Sequence, residues 1–283
     1  MSSSNMLNRV FSKKIFMDLI EKKNNVVYSA VIKRYLSGIE FEKNSDAISE
    51  VYNVLLKSHR NEYIYKNTLL NKLLLGRHSL RTTTALTEVP VGKSKADFIL
   101  INGSATVYEI KTELDSLERL KSQLDNYYKA FSKVCVITSE SYLDRTMQVL
   151  DGTNVGICVL TKRNTISEKK EMVKDFSRLD HEIMFKILRK MEYEQIIKLH
   201  YSYLPDAKPV KYYSECLELF KRIEIEVAYK YMLKVLKMRN KVVIEEFESI
   251  VPKELSSLVY FSDFKESDYN ILEEFLNKDY RGL

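Results

Sequence analysis

Tryptophan is absent from this chain, and glycine (7), proline (4), histidine (4) and cysteine (3) are scarce in its 283 residues. So little glycine and proline leaves few positions for tight turns and long loops, and predicts a largely helical chain. The cysteines, Cys135, Cys158 and Cys216, lie far apart without metal-ligand spacing. That excludes a disulfide scaffold and a zinc cluster, and predicts free thiols in a reducing cytoplasm. The shortage of histidine argues against a histidine-rich metal site. No apolar run reaches bilayer-crossing length, so no membrane partner is expected. The stretch Met1-Ser2-Ser3-Ser4-Asn5 lacks the apolar centre of a signal peptide. Neither charge sign dominates: 45 Lys and Arg face 39 Asp and Glu, a net +6 with a pI near 8.9. That balance permits nucleic-acid binding without requiring it. With 45% hydrophobic residues the chain can bury a core.

Hydrophobic periodicity divides the chain into three regions, 1–58, 59–164 and 165–283. The first is helical, with Val10, Phe11, Ile15, Phe16, Leu19 and Ile20 at helical spacing. The second is mixed. A helix from Arg60 to Leu75 is predicted to stop at Gly76. Strands follow at 85–91, 95–101 and 105–111, then a helix over 115–131 with Leu117, Leu120, Leu124 and Tyr128 or Phe131 on one face. Asp115 is placed as its cap. A strand at 133–138, a short helix near 143–150 and a strand at 155–160 complete an α-β-β-β-α-β-α-β order. The third region is read as helical almost throughout, with Ile183, Ile187, Leu188 and Met191 in heptad-like spacing and breaks at Pro205, Pro209 and Pro252.

The most informative segment is Lys95-Ala96-Asp97-Phe98-Ile99-Leu100, followed across an Asn102-Gly103 turn by Tyr108-Glu109-Ile110-Lys111. It reads as a β-hairpin. Two registers are open. A strict two-residue loop pairs Ile101 with Ser104 and mixes apolar and polar residues on one face. One further loop residue pairs Ile101 with Ala105, Ile99 with Val107 and Asp97 with Glu109, leaving a clean apolar face that ends in two carboxylates. Register follows the buried face, so the second is preferred. Residues i and i+2 on a strand share a face, so Glu109 and Lys111 project together. Two carboxylates at one level repel unless a cation lies between them.

The order and spacing of these residues resemble the PD-(D/E)xK, restriction-endonuclease-like nuclease superfamily, whose core is α-β-β-β-α-β. Asp97 matches the first motif acid, and Glu109-Ile110-Lys111 the acid-x-lysine motif; Ala96 stands where the motif has proline. Gln123 and Tyr127 resemble the QxxxY helix motif of its RecB-like and Holliday-resolvase-like branches. Glu62 resembles the extra acid carried on the preceding helix. With Asn61–Asn67, Gly76-Arg77-His78 and Glu109–Asp115, residues 59–160 resemble a poorly characterised bacterial family with an E…D…ExK…QxxxY pattern. The resemblance implies an αβββαβ core flanked by N- and C-terminal helical regions. It implies a Mg²⁺- or Mn²⁺-dependent nuclease acting on DNA, in bacterial defence or phage-related DNA processing. Asp97, Glu109, Lys111, Gln123 and Tyr127 would be catalytic. Glu62, Asp97, Glu109 and the carbonyl of Ile110 would hold metal, since hard oxygen ligands suit these ions.

Arg77, Arg81, Lys93 and Lys95 are candidate phosphate contacts, or residues of a solvated loop. Glu62 precedes Lys66 by four residues, and a surface ion pair explains it equally. Glu88 is an additional ligand candidate or an exposed strand residue. His59 and His78 are isolated and read as structural or substrate-contacting. A homodimer is compatible with cutting two strands. The competing reading is a catalytically silent nuclease-fold module that binds DNA or a partner protein.

Overall fold

The computed structural model describes residues 3–22, 25–58 and 60–280. His59 lies outside them. The chain divides into two compact units, Met1–Arg77 with Lys241–Leu283, and His78–Asn240. These boundaries differ from the three regions drawn from periodicity, because tertiary contacts join the two ends of the chain.

The first unit contains α1 (Ser3–Val10), α2 (Lys13–Lys22), α3 (Val26–Tyr35), α4 (Asn44–Ser58) and α5 (Glu62–Leu69). Asn25 and Asn61 cap α3 and α5 by accepting backbone N–H bonds through their side-chain oxygens. α5 does not end at Gly76. It widens into a π-helical stretch, Leu70–Leu75, and stays helical through Arg77. Gly76 has φ −87, and a Cβ there would lie 3.1 Å from the Asn71 carbonyl oxygen. The glycine accommodates a close backbone approach rather than providing a left-handed stop.

The second unit carries β1 (Thr84–Val91), β2 (Ser94–Asn102), β3 (Ser104–Lys111), α6 (Leu120–Tyr128), β4 (Lys133–Ser139), α7 (Leu143–Val149), β5 (Gly156–Leu160) and β6 (Ile166–Lys170). Its helices α8 (His181–Ile187), α9 (Lys190–Tyr201), α10 (Pro209–Lys221) and α11 (Ile225–Lys237) follow. The chain closes in the first unit with α12 (Ile244–Ile250), α13 (Ser256–Tyr260) and α14 (Glu266–Asn277).

The fold is mixed α and β. Six strands form one sheet in the order β1-β2-β3-β4-β5-β6. β1 to β3 are antiparallel, β3 to β5 parallel, and β6 returns antiparallel. β6 lies within 165–283, where periodicity predicts helix almost throughout. Its sequence, Ile-Ser-Glu-Lys-Lys, has no buried face to betray a strand, as suits a charged sheet edge. On one sheet face Ile99, Ile101, Val107, Val134, Val136 and Ile157 join a core completed by Leu120, Leu124, Phe131, Phe185, Ile197 and Phe220. Met191 is not part of this heptad-like stripe. It is 81% exposed at the start of α9, because a separate helix begins after the extended Leu188. Asp115 does not cap α6 either: its Oδ2 accepts from Thr112 N and Oγ1, both at 2.7 Å, and closes a turn.

In the first unit, buried Asn67 on α5 donates to the Lys253 carbonyl (2.9 Å) and the Tyr52 hydroxyl (3.1 Å), and accepts from Ser257 N (2.9 Å). One amide thus joins the early and late segments of the chain. Asn67→Ala is expected to lower the unfolding free energy of this unit by about 2–3 kcal/mol, the cost of stranding buried polar partners. Equilibrium urea unfolding checks this, and parental stability would show that water replaces the amide.

Candidate functional site

β2 and β3 pair as the clean apolar register requires, with Ile101↔Ala105 and Ile99↔Val107, and Gly103 turning the chain at φ 66. The backbone ladder runs to Phe98↔Tyr108. Beyond it a side chain takes over: Asp97 Oδ2 accepts from Ile110 N at 2.8 Å.

Both strands lose the two-residue alternation at the same level. On β1 the residues packed on the core are Leu86, Val89 and Val91; on β2 they are Ala96, Ile99 and Ile101. The step of three falls across Glu88 on one strand and Asp97 on the other. Glu88 has φ 56, which is costly for a residue with a Cβ and serves to re-aim a side chain. Carboxylate oxygens of Glu88 and Asp97 consequently lie within 4.8 Å of each other. Regular alternation, as read from the sequence, places neither carboxylate this way.

Glu109 is in a different situation. It is 1% exposed, and Lys111 8%. α6 lies over this end of the sheet, docked by Asn126 Nδ2 on Ser94 Oγ (2.9 Å) and by the Tyr127 hydroxyl, 2.8 Å from the Lys95 carbonyl. Gln123 and Tyr127, four residues apart, share the helix face turned toward Glu109. Glu109 Oε1 accepts from Lys111 Nζ (2.8 Å) and Gln123 Nε2 (2.7 Å), and Oε2 from the Tyr127 hydroxyl (2.6 Å). Lys111 Nζ also donates to Gln123 Oε1 at 3.0 Å. Thr138 on β4 donates to the Lys111 carbonyl at 2.7 Å and fixes the strand that carries the pair. Burial, with the charges of Glu109 and Asp97 adding to it, pushes the Tyr127 hydroxyl pKa far up, so it remains a donor. Asp97 is compensated by a backbone N–H and Glu109 by an ammonium.

The remaining candidates divide by place. Lys93 is exposed on the β1–β2 turn, and Lys95, also exposed, pairs with Glu88. Both lie at the Asp97 end of the sheet. Arg81 does not: Thr84 pairs with Ile101, so the turn holding Arg81 lies at the Gly103 end. Antiparallel β1 carries the chain away from it, and Arg81 is removed from the site. Arg77 and Glu62 belong to the first unit. Glu62 is exposed on the first turn of α5, with Lys66 Nζ at 2.6 Å. The Asp97 end therefore offers all-oxygen donors in Asp97 and Glu88, while both oxygens of buried Glu109 are already engaged by Lys111, Gln123 and Tyr127. That donor chemistry fits Mg²⁺ or Mn²⁺.

The family model described as bacteriophage P4 protein cII matches residues 56–259, and the chain belongs to that family. "Protein cII" of Enterobacteria phage P4 is 26% identical over 140 residues, covering 48% of this chain and 49% of that protein. The aligned part thus spans about half of the curated relative. No solved structure matches.

The two adjacent tyrosines of α6 provide a contrast. The Tyr127 hydroxyl bonds a buried carboxylate, whereas the buried Tyr128 hydroxyl has no hydrogen-bond partner. Tyr127→Phe is expected to cost about 1.5–3 kcal/mol, the range for a hydrogen bond to a charged group. Tyr128→Phe should be neutral or slightly stabilising. Thermal unfolding of both variants reads the difference, and equal effects would mean the Glu109 contact is energetically silent.

Proposed function

We propose that this member of the cII family is a divalent-cation-dependent nuclease that hydrolyses phosphodiester bonds in DNA. The observation that carries the reading is the convergence of Asp97, Glu109, Lys111, Gln123 and Tyr127 at one end of a mixed sheet. An α5-β1-β2-β3-α6-β4 order, with β1 to β3 antiparallel and β4 parallel to β3, is consistent with a restriction-endonuclease-like core. The phage source of the relative supports a place in phage-related DNA processing, with bacterial defence as the neighbouring role.

In this reading Asp97 and Glu109, with the carbonyl of Ile110, would hold one Mg²⁺ or Mn²⁺. Such an ion, once bound, polarises the scissile phosphate and lowers the pKa of its water. Lys111, beside the Glu109 carboxylate, stabilises negative charge growing on the phosphate. Gln123 orients Lys111, and Tyr127 holds Glu109 from behind. Lys93 and Lys95 contact the DNA backbone near the reacting phosphate. A homodimer would supply a second site for the second strand.

One observation favours the alternative of a catalytically silent module that binds DNA or a partner protein: both oxygens of Glu109 are engaged and the residue is out of solvent. Cleavage of plasmid and linear DNA with Mg²⁺ or Mn²⁺ separates the two. Asp97→Ala and Lys111→Ala, each shown to be folded, are expected to lose about 100-fold or more in rate, and a chelator should abolish cutting. Cleavage unaltered in both variants would end the nuclease reading.

A further inference from the structure

We infer that Lys111 is a built-in counter-ion that competes with the divalent cation for Glu109, so an ion engages that carboxylate only when the ammonium leaves it. This deepens the proposed nuclease function and rests on it.

Glu109 Oε1 already receives two donors, Lys111 Nζ at 2.8 Å and Gln123 Nε2 at 2.7 Å. A carboxylate oxygen has about two lone-pair directions, so that atom is saturated. Oε2 holds the Tyr127 hydroxyl at 2.6 Å and is covered by α6. A cation approaching Oε2 while the ammonium still sits on Oε1 would face a like charge a few ångströms away, in a region largely closed to water. Screening is weak there, so the two cations exclude one another. The buried pair is also electrically neutral. With Lys111 in place, Glu109 adds little field to attract an ion.

Lys111 has somewhere to go. Its ammonium already donates to Gln123 Oε1 at 3.0 Å, and Lys111 is the last residue of β3, where the strand gives way to the turn at Thr112. Gln123 bonds both members of the pair, one through each end of its amide. It can retain the ammonium as Glu109 is released. A phosphate anion at the site offers the ammonium a stronger acceptor than an amide does. The same side chain therefore suppresses ion capture in the free protein and meets the phosphate when substrate is present.

The test reads Mn²⁺ binding to the full chain without DNA, by titration calorimetry and by loss of the free-ion paramagnetic resonance signal. The proteins are the parent, Lys111→Gln, Lys111→Met, Asp97→Asn and Lys111→Gln with Glu109→Gln. Lys111→Gln keeps a donor for Glu109 while removing the charge, which guards against failure of the methionine variant to fold. Removing the competing charge is expected to tighten Mn²⁺ binding about tenfold or more. The added Glu109→Gln should cancel the gain, and Asp97→Asn should weaken binding. Folded Lys111 variants that bind Mn²⁺ no more tightly than the parent overturn the inference; if the parent still cuts DNA with Mn²⁺, the nuclease reading stands. Absence of binding in every protein, with no cutting, removes the inference and the proposed function together.

Discussion

The sheet end around α6 depends on holding one carboxylate almost entirely out of water. A buried anion without compensation is costly enough to unfold a domain. Glu109 is compensated by an ammonium, an amide and a phenol from two different elements. These requirements fix geometry. α6 must lie with Gln123 and Tyr127 facing β3, and Lys111 must follow Glu109 by two residues on the same strand face. Tyr127 must also reach across to the Lys95 carbonyl, which ties the start of β2 to the end of β3 where their backbone ladder has stopped. The polar cluster thus acts as a clamp on diverging strands as well as a chemical site.

The divergence begins at Glu88 and Asp97. There the strands step out of alternation together and direct two carboxylates the same way, while Val89, Val91 and Ala96 pack into the core on either side. A positive φ at glutamate is strain that the surrounding sheet must sustain. The result is an asymmetric pair of acidic positions. Asp97 and Glu88 are accessible and near one another, whereas Glu109 is sealed and charge-compensated. A cation-binding role and a structural role are both served by hard oxygen groups at this end of the sheet, and Lys111 connects the two.

Much of this was legible in residue order. Only one hairpin register buries Ile99, Ile101, Ala105 and Val107 on a common face, so the pairing of β2 and β3 followed from pattern alone. The i,i+4 relation of Gln123 and Tyr127 placed both on the helix face that meets Glu109. Other features leave no such trace. Nothing in the residue type announces a glutamate at φ 56, because glycine, asparagine or aspartate is expected there. The Ile166–Lys170 edge strand carries no alternation, since neither of its faces is deeply buried. Gly76 resembled a helix stop because the pattern cannot distinguish left-handed freedom from tolerance of a close carbonyl.

The partition of the chain has a consequence for its synthesis. His78–Asn240 is contiguous, so everything its sheet and helices require has emerged before the segment that follows Asn240 is made. The other unit is split, and Asn67 waits for the carbonyl of Lys253 and the amide of Ser257. During translation the central portion can become ordered while the amino-terminal helices still lack part of their interior. Those early helices must wait with apolar faces uncovered until residues 253–257 have emerged, the interval in which a nascent chain most needs a chaperone.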